Sequence, residues 1–217
     1  MNGKNMSERF VEVPWCLSRY YGEDSVLDVG CSHADNEYLV ALADLAIPNL
    51  YGLDLAPPHP FLVRDRTGGT HPLINHIQGD VRRSGIQDQS FDLVICISTL
   101  EHVGKDNSGY GLEVATADHY GGDLEAIVEL YRITRPRGRL LLTVPFGKYE
   151  DHGWFQQYDI DRLIHLVGKS PWTVRELEFF GYTEGWHSCS PFLLADVGYG
   201  ACGAPAAAGV ACVNLQR

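Results

Sequence analysis

The sequence has no apolar run of the roughly 18 residues that a membrane-spanning helix needs, so we expect no transmembrane segment. Met1 to Val13 carry scattered charges and no apolar stretch of the kind found in signal peptides. The six cysteines form no Cys-x-x-Cys pair and no Cys/His spacing typical of zinc sites. Together these absences favour a reduced, cytoplasmic setting.

An excess of basic residues is also missing. Lys and Arg number 17 against 28 Asp and Glu, which gives a formal net charge of −11. A general nucleic-acid binder normally shows a basic face, so we expect neither a nucleic-acid nor a membrane partner. With 217 residues, 45% of them hydrophobic, the chain fits one domain over residues 1–217, in which residues 1–23 form an N-terminal cap segment.

Short apolar runs alternate with helical patterns, as expected for βαβ units. The predicted helices are Asp35–Ala46, Asp123–Thr134 and Asp159–Val167. The predicted strands are Ser25–Gly30, Leu50–Asp54, Asn75–Gln78, Phe91–Ile97, Arg139–Val144, Thr173–Phe180 and Gly209–Leu215. This order predicts an α/β, doubly wound, Rossmann-like fold with a mostly parallel sheet.

The turn after the first predicted strand is built from small residues. Asp28 and Gly30 are followed by Ser32 and Ala34, where a dinucleotide fingerprint would have further glycines. A strand that enters a small-residue turn and then a helix lets backbone amides approach a ligand. The missing glycines make a poor pyrophosphate site, whereas the acid before the turn suits a cationic amino-acid headgroup.

Acids also end the next two strands. Asp54 ends the second strand, where a carboxylate can accept hydrogen bonds from both hydroxyls of a ribose. Asp80 ends the third strand, where a carboxylate can accept a hydrogen bond from the amino group of an adenine. The fourth strand is nearly all apolar and opens into a polar turn at Ser98. Open α/β sheets bind ligands at this carboxyl edge, so these features in order point to one ligand site.

The segments LDVGCS (27–32), YGLDL (51–55), GDV (79–81) and FDLVICISTLEHVG (91–104) resemble the ordered motifs of class I S-adenosylmethionine-dependent methyltransferases. Later segments are similar to bacterial members associated with glycan biosynthesis. The resemblance implies a seven-stranded sheet whose last strand is antiparallel, with S-adenosylmethionine as cofactor. It also implies Asp54 at the ribose, Asp80 and Val81 at the adenine, and Asp28 with Gly30 near the methionine part. The predicted cofactor-binding residues are Asp28, Gly30, Ser32, Asp54, Leu55, Asp80, Val81 and Ser98.

Loops after strands four, five and six should rise on the cofactor side of the sheet. Residues 104–122 and 146–158 are the predicted substrate-side loops, and the glycine-rich 104–122 is predicted to act as a mobile lid. The loops after strands four, five and six, residues 98–122, 146–158 and 182–205, carry several aromatic and histidine residues: His102, His119, His152, His187, Tyr110, Tyr120, Tyr158, Trp154 and Trp186. Aromatic walls with titratable groups suit a polar organic acceptor such as a sugar.

A hydroxyl acceptor must lose a proton, for which a histidine is well suited. His102, after the fourth strand, and His152, after the fifth, are the candidate bases, although His102 also fits a structural role at the end of a turn. Some quinone-directed relatives hold a divalent cation through acids and a histidine that match Glu101 and His102. Ser98 stands in place of one of those acids, so we predict no metal.

Several alternatives stay open at this point. The acceptor atom can be oxygen or nitrogen, and a phenolic or quinone-like acceptor fits the aromatic loops as well as a sugar does. A nicotinamide-dependent enzyme is disfavoured because both the GxGxxG turn and a Tyr-x-x-x-Lys pair are missing. A methyltransferase-like binding protein without activity is disfavoured by the retained Asp28, Asp54 and Asp80.

Overall fold

A computed structural model describes residues 6–58, 74–112 and 121–217 of the chain. Within these residues the central sheet has eight strands: β1 (Ser25–Val29), β2 (Asn49–Asp54), β3 (Asn75–Gln78), β4 (Phe91–Ile97), β5 (Thr134–Pro145), β8 (Thr173–Tyr182), β9 (Trp186–Ser188) and β10 (Gly209–Gln216). Their order across the sheet is β3-β2-β1-β4-β5-β10-β8-β9. Two further strands, β6 (Glu150–Asp151) and β7 (Gln156–Gln157), form a separate short hairpin.

Strands β1 to β5 run parallel to one another, and β10 runs antiparallel to both β5 and β8. The predicted fold class, a mostly parallel α/β sheet closed by an antiparallel last strand, is confirmed. The sheet differs from the prediction by one strand, because the short β9 pairs antiparallel to the outer edge of β8. Strands β1 and β4 are buried on both faces, which explains their nearly continuous apolar sequence.

Helices cover both faces of the sheet. They are α1 (Arg9–Leu17), α2 (Asn36–Asp44), α3 (Gly122–Ile133) and α4 (Ile160–Val167). One apolar cluster joins α3 and α4 to one face through residues such as Ile127 and Leu163. A second cluster joins α1 and α2 to the other face through residues such as Trp15 and Leu39. This three-layer arrangement leaves the carboxyl ends of β1 to β4 open for the loops that follow them.

Helix α1 was not predicted, because the sequence showed no regular apolar stripe in residues 1–23. The helix contains Pro14 and buries Glu12 together with Trp15 and Cys16, so its inward face mixes charge with apolar side chains. It contacts β4 and β10. The N-terminal segment thus brings a glutamate to the end of the sheet where the predicted ligand site lies.

The predicted lid, residues 104–122, is described only in part, since residues 113–120 lie outside the described residues, as do His119 and Tyr120. Its described beginning contains a single helical turn, Ser108–Tyr110. Residues 146–158 hold the β6–β7 hairpin. His152 N–H donates to the Phe155 carbonyl oxygen, which closes the hairpin at 2.9 Å.

Candidate active site

One open cavity lies at the carboxyl edge of β1 to β4 and measures about 1190 Å³ with its opening to solvent. All predicted cofactor residues except Ser32 line it, and so does His102. Other lining residues come from α1, from the turn after β1 and α2, from the turn after β4 and from the start of the predicted lid: Arg9, Val13, His33, Asp35, Tyr38, Thr99, Val103, Asn107, Tyr110 and Leu112. A single cavity therefore joins the predicted cofactor residues to one of the two candidate bases.

The turn after β1 requires glycine at position 30. Gly30 has a φ of 86°, in the left-handed region, and a Cβ atom there would lie 2.3 Å from Thr99 Oγ1. Its N–H donates to the Leu53 carbonyl oxygen at 2.9 Å, which ties the turn to β2. The backbone of β1 and the turn after β4 can approach closely only because this side chain is absent.

The Asp54 carboxylate is fixed by two backbone donors. The N–H of Ser32 donates to its Oδ2 and the N–H of Ala56 to its Oδ1, both at 2.8 Å. Ser32 does not line the cavity, because its side chain is buried and lies within 3.4 Å of the Ala56 carbonyl oxygen and 3.2 Å of His76 Nε2. The structure thus places Ser32 behind Asp54, where its amide orients the carboxylate. Each Asp54 oxygen retains a lone pair for a further hydrogen bond.

Asp28 is buried at the cavity wall, 2% exposed. Tyr38 Oη donates to its Oδ1 at 2.9 Å, while its Oδ2 has no hydrogen-bond partner among the described residues. Burial raises the pKa of Asp28 to about 7, helped by the charge of Asp54 and opposed by Tyr38 and Arg9. An unpaired carboxylate oxygen at this depth calls for a donor or a cation from a ligand.

The residues that follow β2 and β3 give the cavity lining apolar side chains and an acid. Leu55 and Val81 contribute the apolar surface. Asp80 is held by Arg82, whose Nη2 lies 2.6 Å from Asp80 Oδ2. Burial raises the pKa of Asp80, but the hydrogen bonds from Arg82 outweigh it and leave the pKa below its ordinary value. Asp80 therefore stays an ionised acceptor at neutral pH.

Helix α1 adds charged residues that the sequence did not reveal as site residues. Arg9 lines the cavity, and its Nη1 lies 2.8 Å from Glu12 Oε2. Ser98, which lines the cavity with a strained φ of 40°, donates through Oγ to Glu12 Oε1 at 2.5 Å. Glu12 belongs to no recognisable sequence motif, so only its hydrogen bond with Ser98 in the folded chain connects it to the end of β4.

His102 is held in one orientation by the loop after β5. Its Nδ1 lies 2.9 Å from the Trp154 carbonyl oxygen, and since a carbonyl only accepts, Nδ1 carries the proton. Burial lowers the pKa of His102, the Trp154 carbonyl raises it and Arg9 lowers it, for a net decrease. The imidazole is therefore neutral at pH 7, with the lone pair on Nε2.

Glu101 lies beside His102 and is 3% exposed. Its Oε1 is 4.0 Å from His102 Nε2, and its Oε2 has no hydrogen-bond partner among the described residues. Burial raises the pKa of Glu101 well above its ordinary value. The sequence placed Glu101 only in an incomplete metal-like pattern, and its burial was not predicted.

Aromatic rings surround His102. Tyr110 lies edge-on with its centroid 5.5 Å away, Trp154 is 5.3 Å away and Phe155 is 5.9 Å away. His33 contacts Tyr110 at 5.0 Å, and Tyr199 contacts Phe155 at 4.7 Å. The predicted aromatic wall thus includes Tyr110 and Trp154, whereas Tyr158 is buried in the core and donates to Asp123 Oδ2 at 2.8 Å.

The second candidate base is placed away from the cavity lining. His152 stacks on Phe155 with ring centroids 4.5 Å apart, and its Nε2 lies 3.1 Å from Glu150 Oε2. The Phe155 ring is thus shared between His152 and His102. The turn of the β6–β7 hairpin therefore directs His152 toward Glu150.

Within residues 6–58, 74–112 and 121–217, no group of three or more His, Cys, Asp or Glu side chains is arranged to hold a metal ion. In the same part of the chain, every helix is too short or too polar to cross a membrane.

The model of a family described as "Methyltransferase domain" matches residues 27–142, which is more than half of the chain. Among curated proteins, none matches the sequence.

Solved structures of methyltransferases share the fold at low sequence identity. A SAM-dependent methyltransferase from Methanosarcina mazei is 14% identical, with a TM-score of 0.62 over 94% of this chain and 97% of that one. The 1,6-didemethyltoxoflavin-N1-methyltransferase of Burkholderia thailandensis, solved with its substrate and S-adenosylhomocysteine, is 11% identical, with a TM-score of 0.59 over 94% and 76%. The N-methyltransferase NodS of Bradyrhizobium japonicum, solved with S-adenosylhomocysteine, is 14% identical, with a TM-score of 0.55 over 97% and 86%.

Proposed function

Because the chain belongs to the class I S-adenosylmethionine-dependent methyltransferases, we propose that it methylates a hydroxyl or amine of a small polar acceptor, with a sugar or glycoside as the first choice. The observation that carries the proposal is the shared cavity. It is lined by Asp28 and Asp54 at the cofactor side and by His102 and Tyr110 at the other. Reaction by in-line displacement requires that cofactor and acceptor occupy one such space.

The cofactor side fits S-adenosylmethionine in three respects. The fixed Asp54 carboxylate offers its free lone pairs to the ribose hydroxyls. The unpaired Oδ2 of Asp28 offers charge to the methionine ammonium, beside the Gly30 turn that a Cβ would fill. Leu55 and Val81 provide apolar surface for the adenine, with Asp80 at its amino group. S-adenosylmethionine supplies an electrophilic methyl group on a sulfonium.

His102 is the proposed base. Its protonated Nδ1 is held by the Trp154 carbonyl, which leaves the Nε2 lone pair to accept the acceptor's proton. A neutral imidazole at pH 7 is ready to act without first losing a proton. His152 is a weaker candidate, because it does not line the cavity and its Nε2 lies 3.1 Å from Glu150 Oε2.

Charge and shape support a small acceptor. Among the described loop residues, Asp106, Glu150, Asp151 and Glu184 outnumber Lys105 and Lys148, and Lys105 is paired with Asp151 at 2.7 Å. A polyphosphate backbone would be repelled by this edge. The rings of Tyr110 and Trp154 offer faces on which the C–H side of a sugar can pack. The same rings support a phenolic or quinone-like acceptor as the second candidate.

The experiment is a transfer assay with a labelled methyl group on the cofactor. Nucleotide sugars, glycosides and simple phenols are offered in parallel with RNA, DNA and protein. We expect label in a small acceptor, and we expect His102→Ala to lose most of the rate while Glu184→Ala, on an exposed turn, keeps it. Robust transfer to a macromolecule, with none to any small compound, would contradict the proposal.

A further inference from the structure

A second cavity adjoins the one that the cofactor residues line. It measures about 1080 Å³ with its opening to solvent, against about 1190 Å³ for the first cavity. Val103 and Gly104 line both cavities, and the proposed base His102 directly precedes them in the chain. A Cβ atom at Gly122 would lie 2.8 Å from the Val103 carbonyl oxygen, so the start of α3 packs directly against this shared stretch. The two cavities therefore keep a fixed position relative to each other.

The predicted substrate-side loops form most of the second cavity. Residues 146–158 contribute nothing to the lining of the first cavity, although the structure describes all of them. They contribute five residues to the lining of the second: Tyr149, Asp151, Gly153, Gln156 and Tyr158. The described ends of the 104–122 loop and helix α4 supply further lining residues: Gly104, Lys105, Asp106, Gly121, Arg162 and His165. Of the two cavities, the loop after β5 thus lines only the second.

Carboxylates in the second cavity are held by donors of the protein. Asp123, which is 7% exposed, accepts hydrogen bonds from Gln156 Nε2 and Tyr158 Oη, both at 2.8 Å. Asp151 accepts a hydrogen bond from Lys105 Nζ at 2.7 Å. An ionised carboxylate offers about four acceptor sites, so Asp151 retains lone pairs for the hydrogens of a ligand.

Arg162 brings donors that lack a partner. Its guanidinium carbon lies 3.4 Å from the centre of the Tyr149 ring, and this stacking holds the side chain in place. Among the described residues the side chain of Arg162 forms no hydrogen bond and no ion pair, and its Nε is buried. A buried donor without a partner costs free energy that an oxygen atom of a ligand recovers. The cavity therefore contains both unused donors and unused acceptor sites.

This combination suits a neutral ligand with several hydroxyl groups. A hydroxyl can donate its hydrogen to a carboxylate and accept a hydrogen bond from a guanidinium. An anionic group would meet repulsion, because the lining holds three aspartates against one lysine and one arginine. A phenol or quinone has few hydroxyls, and Arg162 already covers one face of the Tyr149 ring. A saccharide fits this lining better than either.

Resting on the proposed methyl transfer, we propose that the second cavity binds a neutral saccharide unit of the acceptor, while the neighbouring unit is methylated beside His102. The acceptor then has at least two sugar units. It crosses from one cavity to the other at Gly104, the shared residue that has no side chain. Arg162 and Asp151 are the residues that recognise the second unit.

The first experiment compares acceptors of one and two sugar units with a labelled cofactor. The pairs are methyl glucoside with methyl cellobioside, methyl galactoside with methyl lactoside, and methyl N-acetylglucosaminide with methyl diacetylchitobioside. We expect at least one two-unit acceptor to have a KM at least tenfold below that of its one-unit partner. Arg162→Met removes the donors and keeps an unbranched side chain, and it should raise the KM of that two-unit acceptor at least tenfold. The matched control Lys169→Met, on the exposed turn after α4, should keep the wild-type KM.

The outcomes separate this inference from the proposed function. Equal KM values within every pair, or a wild-type KM for Arg162→Met, would overturn the inference and leave the proposed small-molecule methyltransferase intact. Faster transfer to a phenol such as tyrosol than to any sugar would do the same. Transfer to macromolecules alone would overturn both. Wild-type affinity of Arg162→Met for S-adenosylhomocysteine shows that this variant is folded.

A binding measurement decides the case in which no pair reacts. Saturation-transfer NMR is recorded on the complex with S-adenosylhomocysteine, with the same six sugars and with methyl glucuronide as the anionic probe. We expect a signal from at least one two-unit sugar, which Arg162→Met loses and Lys169→Met retains. No two-unit signal in the wild type, an unchanged signal in Arg162→Met, or a stronger signal from methyl glucuronide than from every neutral sugar would overturn the inference.

Discussion

Asp28 has a fully buried carboxyl group, and burial raises its pKa to about 7. The neutral form cannot attract the ammonium of the cofactor, whereas the ionised form can. We therefore expect the affinity for S-adenosylmethionine to rise between pH 6 and pH 8 as Asp28 ionises. Calorimetric titration across this range measures the effect. Asp28→Asn should bind more weakly with a flatter profile, and a profile as steep as that of the wild type would exclude Asp28 as its source.

Gly30 allows a test of the close approach between the turns after β1 and β4. Gly30 and Gly22 both have positive φ, 86° and 92°, but a Cβ at Gly22 meets nothing within 4 Å while one at Gly30 meets Thr99. Gly22→Ala should cost about 1 kcal/mol of unfolding free energy through backbone strain alone. Gly30→Ala should cost about 1–3 kcal/mol more through overpacking. Urea denaturation of both variants measures the two losses of unfolding free energy. Equal losses would show that Thr99 moves aside freely.

The sequence predicted the cavity residues at strand ends better than the residues that the loops bring to the site. Asp28, Asp54 and Asp80 each follow from a strand that ends in an acid, and all three line one cavity. Ser32 was predicted to bind the cofactor; in the structure it does not line the cavity, and its backbone amide donates to Asp54. The burial of Glu101 was not predictable, since the burial of a carboxylate depends on tertiary packing and not on the local sequence.

At the scale of elements, α1 is the part of the site that the sequence did not predict as a helix. Arg9 and Val13 line the cavity, and Glu12 bonds to Ser98 at the end of β4. Ligand binding should therefore restrain α1. We expect hydrogen exchange of the amides from Glu12 to Leu17 to slow when S-adenosylhomocysteine is added, while α4, which contributes nothing to the lining of the first cavity, stays unchanged. Equal hydrogen exchange in α1 with and without ligand would show that this helix takes no part in ligand binding.

The same exchange measurement tests the predicted lid over residues 104–122, of which Gly104, Asn107, Tyr110 and Leu112 line the cavity. We expect fast exchange in the free protein and slower exchange once cofactor and acceptor are bound. Protection that is uniform in both states would contradict a lid.

The long strands and helices were predictable because each has a regular apolar period over several residues. The shorter ones were not. Strands β6 and β7 have two residues each and β9 has three, and their sequences are polar or mixed. Such short strands form because a neighbouring strand offers backbone N–H and C=O groups for pairing, as the edge of β8 does for β9.

For the whole molecule, β10 lies between β5 and β8, so the last strand completes the sheet that the family-matched region begins. This arrangement agrees with one domain over residues 1–217, which stays a prediction. The cytoplasmic setting likewise stays a prediction. Chain order and apolar pattern were sufficient to predict the fold, whereas the acceptor depends on loop contacts that no local pattern encodes.

Stability of the whole chain should depend on its buried acids. Asp28, Glu101 and Glu8 all have raised pKa values, so the folded chain holds protons that the unfolded chain releases. Unfolding free energy without ligand should therefore fall as pH rises from about 4 toward 7, opposed in part by His102, whose pKa is lowered. For Asp28 the slope is at most about 1.4 kcal/mol per pH unit. Urea denaturation of the wild type and Asp28→Asn over this range isolates it, and parallel curves would contradict a raised pKa.

The most direct test of the account is calorimetric titration of the wild type and Asp54→Ala with S-adenosylmethionine and with NAD. Both oxygens of Asp54 are fixed by backbone amides, so the carboxylate is ready for the two ribose hydroxyls. We predict that the wild type binds S-adenosylmethionine and not NAD, and that Asp54→Ala loses about 2–4 kcal/mol of binding free energy. Glu184→Ala is the matched control and should bind as the wild type does. An unchanged dissociation constant for a folded Asp54→Ala, or tighter binding of NAD, would contradict the placement of the cofactor in this cavity.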